Sequence, residues 1–310
     1  MAVTNRYGLY GVQVETTLLG GMTRQAIRFG STLRNEPRSG EVYARFQSLV
    51  AQKPGATFAT EHVGAALDII PLTGFNLENG VNGLHLYSQK WQSGGSRDTG
   101  AVHIRDQIKV GILALRRLSC DHQGDAVLEL EAVAGWNGSD VDGPILRTNN
   151  ISVPTGLTTG ERFTLGKITV GGVVLTHFRS LEFDFGLEIV SEGSESEIWD
   201  RFVAVRSIQP RMTVRGINLQ WFLATGAIPM IGKAGIHANT TVYLRERKAG
   251  GTFELDATIT HIQITGDGYI TIDTPMDASG LEAGECTLMM DFRYDGTNAP
   301  LLIDTTAAIP

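Results

Sequence analysis

The sequence predicts a mainly β protein built as two tandem β-sandwich or partly closed barrel domains, each with one flanking α-helix. Three observations predict it. Apolar residues alternate with polar or small ones along many short runs, and Gly-Gly pairs separate the longest of them. The second half of the chain also repeats the first at an offset of 156 residues.

The repeat is clearest where Glu41-Val42-Tyr43-Ala44-Arg45-Phe46 faces Glu197-Ile198-Trp199-Asp200-Arg201-Phe202. Val14 falls on Val170, Leu19 on Leu175, Phe29-Gly30 on Phe185-Gly186, and Pro54 on Pro210. After a two-residue shift, Ile70-Pro71-Leu72 meets Ile228-Pro229-Met230, and the Gly-Gly pairs at 94–95 and 250–251 then realign. These matches place one domain at 1–148, a Pro-, Gly- and Thr-containing linker at 149–163, and a second domain at 164–310.

In each repeat the leading strands come first: Gly11 to Leu19 and Arg24 to Arg34, then Lys167 to Leu175 and Phe178 to Ile189. Leu181, Phe183, Phe185 and Leu187 alternate so as to bury one face. The helix is expected at the Glu-x-[Tyr/Trp]-x-Arg-Phe block. Ile198, Phe202 and Val205 repeat at i, i+4 and i+7, as do Val42, Phe46 and Leu49, and Ser194 stands three residues before Glu197. Pro54 and Pro210 would stop it. Long hairpins follow: Leu84 to Trp91 with Arg97 to Lys109, and Thr240 to Lys248 with Thr252 to Thr265. A last pair sets Ile112 to Leu118 against Ala126 to Val133, and Tyr269 to Asp273 against Cys286 to Tyr294.

Composition excludes several classes. The 310 residues suit two domains of about 150. Apolar content of 42% is too high for disorder, and no run approaches the ~18 apolar residues of a membrane helix. The first twenty residues lack a basic start followed by an apolar block, so no signal peptide is expected. With 26 Lys and Arg against 33 Asp and Glu, the net charge is −7, which argues against a surface that grips nucleic acid. Two cysteines make neither a disulfide framework nor a zinc site.

No catalytic, cofactor or metal motif emerges, and the chain reads as a non-enzyme without cofactor. None of the seven histidines stands at i+2 or i+4 from another. At the 156 offset none recurs: His85 meets Thr241, His103 meets Ile259 and His177 meets Gly21. Cys120, beside Asp121 and His122, reads as a loop cysteine rather than a nucleophile. Arg45 and Arg201, with Glu41 and Glu197, occupy equivalent places in the two repeats and are the candidate assembly contacts, bridging to a strand or a subunit. The segments Lys53 to Gly64 and Arg211 to Leu219 are candidate loops for ring-to-ring contact.

A duplicated unit without a recurrent polar site fits an assembly role, with head-to-tail contacts closing a ring. The order of paired strands, a short helix near residue 45 and long hairpins turning at Gly94-Gly95 and Gly250-Gly251 resembles the tail tube proteins of tailed bacteriophages. That resemblance implies a structural virion protein, assembled in the host cytoplasm. Its two tube domains would form homotrimeric, pseudo-hexameric rings that stack into a tube, contact neighbouring tail proteins and pass DNA without binding it specifically. A distal tail protein or a secretion-type tube protein is the alternative within the same resemblance. The remote alternative is a duplicated β-barrel metalloenzyme of the bicupin kind, which needs a histidine pair that neither repeat has; a sliding clamp needs a basic bore and more helix, and net acidity and one helix per repeat speak against it.

Overall fold

The computed structural model describes residues 5–37, 39–40, 42–78, 83–92, 94–138, 143–157, 160–194, 197–217, 236–250, 253–278 and 284–310. The chain is mainly β, in several antiparallel sheets. The first half carries β1 (Arg6–Val14), β2 (Thr17–Leu19), β3 (Met22–Arg28), β4 (Ser31–Pro37), β5 (Ala44–Gln52), β6 (Gly55–Thr60), α1 (Val63–Ile69), β7 (Phe75–Leu77), β8 (Leu84–Trp91), β9 (His103–Ile108), β10 (Val110–Asp121), β11 (Val127–Gly135) and β12 (Ile145–Ile151). The second half follows with β13 (Arg162–Val170), β14 (Val173–Leu175), β15 (Phe178–Asp184), β16 (Leu187–Glu192), β17 (Phe202–Ile208), β18 (Arg211–Gly216), β19 (Ile236–Arg247), β20 (His261–Asp277), β21 (Glu285–Phe292) and β22 (Leu302–Ala307).

In the first half, β12-β9-β8-β1-β2 form one sheet, while β10-β11-β6-β3 line up in another. Alternation explains their shared core. In β11, VLELEAVAG, Leu128, Leu130, Ala132 and Ala134 are buried while the residues between them are only partly covered. They meet Val12, Val14, Leu84 and Leu86 of the opposing sheet in one hydrophobic cluster. That cluster runs on without a break into Phe183, Val214, Leu244 and Leu288 of the second half.

The two halves match in register. Val12 faces Leu19 as Ile168 faces Leu175, and Gln13 faces His85 as Thr169 faces Thr241. The bulge between Met22 and Arg24 recurs between Phe178 and Ser180, and that between Thr32 and Leu33 recurs between Glu188 and Ile189. A bulge is a specific local defect in a ladder, so its repetition at equivalent positions carries more weight than shared strand order. Gly30 and Gly186 both have positive φ, and each carbonyl accepts a bond from the backbone N–H of its equivalent partner, Lys53 or Gln209. A Cβ on Gly186 would lie 2.0 Å from the Gln209 carbonyl oxygen, so the turn requires glycine.

Four expectations need correction. The blocks containing Arg45 and Arg201 are not helical: Ala44–Gln52 is strand β5, and the second block leads into strand β17. Apolar residues four apart share a face in both periodicities, and the β-branched run FVAVRSI favours the strand. The flanking helix of the first half is instead α1, where Val63, Ala66, Leu67 and Ile70 face the core and Pro71 ends it. Its counterpart at the 156 offset, and the Ile228-Pro229-Met230 match, fall outside the described residues. The segments starting at Lys53 and Arg211 are not loops either, since they contain β6 and β18, interior strands of the large sheet.

The third correction concerns histidine. The long hairpin of the second half carries two extra residues, which moves the equivalence to an offset of 158: Ile151 pairs with His103 as Ala307 pairs with His261. Both rings are fully buried. The Lys90 N–H donates to His103 Nδ1 at 3.0 Å and the Glu246 N–H to His261 Nδ1 at 3.0 Å. One histidine therefore does recur, as a structural acceptor inside each hairpin. The fourth concerns Cys120, which lies buried in β10 and not in a loop.

The segment joining the halves is tied to the first. The Tyr10 hydroxyl donates to the Pro154 carbonyl. The His62 ring sits between the backbone N–H groups of Gly20, 3.1 Å from Nδ1, and Gly160, 3.0 Å from Nε2. A neutral imidazole offers one lone pair to these two donors, and a protonated ring offers none. Burial, then the Arg162 charge, pushes the His62 pKa down; burial and Arg105 do the same to His85. The unfolded chain therefore takes up these protons first. Their contribution to stability is complete above about pH 6.5 and is lost as pH falls below it. Glu161, whose carboxyl is raised by burial, acts in the opposite sense above about pH 4.5. The expected result is a lower urea midpoint at pH 5.5 than at pH 7.5, with a smaller difference in His62→Gln. An unchanged pH dependence in that variant would contradict the assignment.

Candidate assembly interface

The large sheet joins the halves head to tail. Its order β3-β6-β11-β10 continues directly into β15-β18-β21-β20, through five residue pairs from Arg117↔Asp184 to Asp121↔Ser180. Since β15 is the equivalent of β3, the second half presents the outer strand of its own four-strand run to the first half's β10. Among the described residues, β3 at one end and the Thr274–Asp277 stretch of β20 at the other have no strand partner on their outer sides. The two open edges are therefore the equivalents of the two edges already joined within the chain. Open edges of this kind invite pairing with another chain.

The solvent face of this eight-stranded run carries a row of alternating charge. In register across the sheet stand Arg24, Ala59, Glu129, Arg117, Asp184, Arg211, Asp291 and Tyr269. Arg117 bonds Glu129 at 2.9 Å, and Arg211 bonds Asp291 at 2.6 Å. Three arginines and three carboxylates cancel along the row. Beside it Glu131 pairs with both Arg28 and Arg116. Exposed pairs of this kind add little stability, so their main effect is on the potential of the face.

A β-hairpin covers the junction. β16 and β17 pair with each other and pack on β10 and β11 of the first half, burying much of Ile189, Val203 and Val205 against the core. The residues before β17 hold this contact. The Trp136 N–H donates to the Asp200 carbonyl at 2.9 Å, and the Gln52 N–H to the Ile198 carbonyl at 2.6 Å. The Trp199 indole N–H bonds the Gln52 side chain at 2.8 Å, and its ring packs 5.3 Å from that of Trp136.

Arg201, singled out by the repeat, lies in this junction with its guanidinium 5.1 Å from the Trp136 ring and Glu197 pairing with both ends of its fork. Arg45 occupies the equivalent exposed position at the start of β5. Glu41 lies outside the described residues. Repetition reveals the two arginines; Trp136, the surface on which Arg201 rests, has no comparable signal apart from the match of Trp136-Asn137-Gly138 with Tyr294-Asp295-Gly296, 158 residues on.

No group of three or more His, Cys, Asp or Glu among the described residues could hold a metal ion, and no helix among them is long and apolar enough to cross a membrane. Burial, then the neighbouring Asp121 charge, pushes the Cys120 thiol up to about 12, and burial also raises Cys286. Neither thiol is poised as a nucleophile. A thiol reagent at pH 8 should label essentially no cysteine in the native chain and both after denaturation; rapid native labelling would contradict their burial. A search against protein-family models and one against curated proteins found no match.

Proposed function

We propose that this chain is a structural ring protein of a tail tube, in which three chains form a pseudo-hexameric ring and rings stack around a DNA passage. The observation that carries the reading is the in-chain junction of β10 with β15, together with equivalent edges, open among the described residues, at β3 and at the Thr274–Asp277 end of β20. Applying the same step between chains joins β20 of one to β3 of the next, and three chains supply six equivalent positions. Four strands from each position make a barrel of 24. At strand spacing near ~4.8 Å and a tilt near ~40°, its backbone diameter is roughly 45–50 Å, wide enough for a DNA duplex.

Charge supports the same reading. Three chains of −7 give −21 per ring. The face that would line the passage carries the self-cancelling row from Arg24 to Tyr269, so a polyanion would meet no net positive wall.

Electron microscopy of the purified chain tests the proposal. Stacked tubes are the expected result, with a repeat near ~40 Å if strands of about twelve residues span each ring. Monomers at all concentrations would contradict it. Rings that never stack would favour a distal tail component.

A further inference from the structure

We propose that the β4–β5 hairpin of one chain clasps the second half of a neighbouring chain, as β16–β17 clasps the first half of its own. This inference rests on the ring reading and specifies its subunit contact. The two hairpins share register and bulge, yet their surroundings differ. Phe185, at the base of β16, is fully buried, whereas its equivalent Phe29 is 54% exposed. Ile189 packs on the core, whereas its equivalent Leu33 is exposed. Tyr43, which matches Trp199, is 84% exposed. The receiving surface is open as well: Tyr294, the match of Trp136, is 62% exposed.

An apolar surface that is covered in one repeat and open in its twin lacks the neighbour that covers the first. That neighbour is the preceding repeat in the chain, so for the first hairpin it is the second half of another copy. The internal contact supplies the geometry. Arg201 over Trp136 becomes Arg45 over Tyr294 of the partner, with Tyr43 beside it. The backbone bond from Trp136 to Asp200 becomes one from Tyr294 to Ala44, and that from Gln52 to Ile198 becomes one from Ile208 to Val42.

Those two contacts fix the test. Gln52 and Trp199 are bridge partners in parallel register, which sets their equivalents Ile208 and Tyr43 side by side on one face. The full chain is made with Ala44→Cys and Tyr294→Cys, and separately with Tyr43→Cys and Ile208→Cys; the native cysteines are buried and slow to compete. Oxidation after assembly should give reducible interchain dimers and trimers for both pairs. Arg45→Glu, at an exposed position, should raise the concentration at half-assembly by about tenfold or more through loss of the cation–π contact.

Assembled trimers without interchain disulfides in either pair would overturn the clasp and leave the ring reading intact. Disulfide-linked chains that build open filaments without closed trimers would support the clasp and overturn the ring. A wild-type chain that stays monomeric would overturn both. Arg45→Glu assembling at the wild-type concentration would count against the clasp even if the cysteine variants fail to fold.

Discussion

Phe185→Ala is expected to destabilise the chain by about 3–5 kcal/mol, while Phe29→Ala at the equivalent position costs under about 1 kcal/mol in the unassembled chain. Phe185 is fully buried at the junction of the halves, and its N–H donates to the Arg116 carbonyl at 3.0 Å. Removing the ring leaves a cavity beneath the β16–β17 hairpin that the strands cannot close without breaking register. Phe29 has the same place in the repeat but is 54% exposed. Its loss should instead weaken assembly. Urea unfolding of the two variants below the assembly concentration checks the asymmetry. Equal costs would mean that the environments of the two repeats are alike, against the burial difference on which the clasp depends.

The second large effect is electrostatic. Glu129→Lys, Asp184→Lys and Asp291→Lys together change the charged row from neutral to +6 per chain and the net charge from −7 to −1. Three chains would then place about 18 unneutralised positive charges around the passage, nine of them newly introduced. The assembled variant should retain duplex DNA at low salt. A contact set of 6–10 phosphates loses roughly 10³–10⁵ in affinity between 50 and 200 mM salt, so the retention should fall steeply over that range. The wild-type assembly should show no such retention. Filter binding across a salt series measures both, and DNA binding unaffected by the reversal would place the row away from any surface that DNA reaches.

Much of the strand framework is legible in the sequence because alternation has only one period to satisfy. The hairpin of Leu84–Trp91 with His103–Ile108 and the pair of Val110–Asp121 with Val127–Gly135 follow from it directly. The segment around Arg45 was harder to place because residues four apart lie on one face of either a helix or a strand. Only the β-branched stretch after Phe202 separates the two. α1 is hard to read in the sequence for a related reason: it is short, contains Gly64 and has no side-chain cap at His62, so its apolar spacing stands alone.

The candidate interface was half legible. A fixed offset picked out Arg45 and Arg201, yet it concealed the equivalence of His103 and His261, since two inserted residues shift the register within β20. Nothing in a linear repeat states which copy's edge meets which. That became visible only when β15 took its place beside β10, and when the same hairpin proved covered in one half and open in the other.

In the proposed ring one chain supplies two of six equivalent positions. Native mass measurement of the smallest closed particle decides this. Three chains of 33.5 kDa, about 100 kDa, is the expected mass. A closed particle of six chains, or of any number other than three, would contradict it.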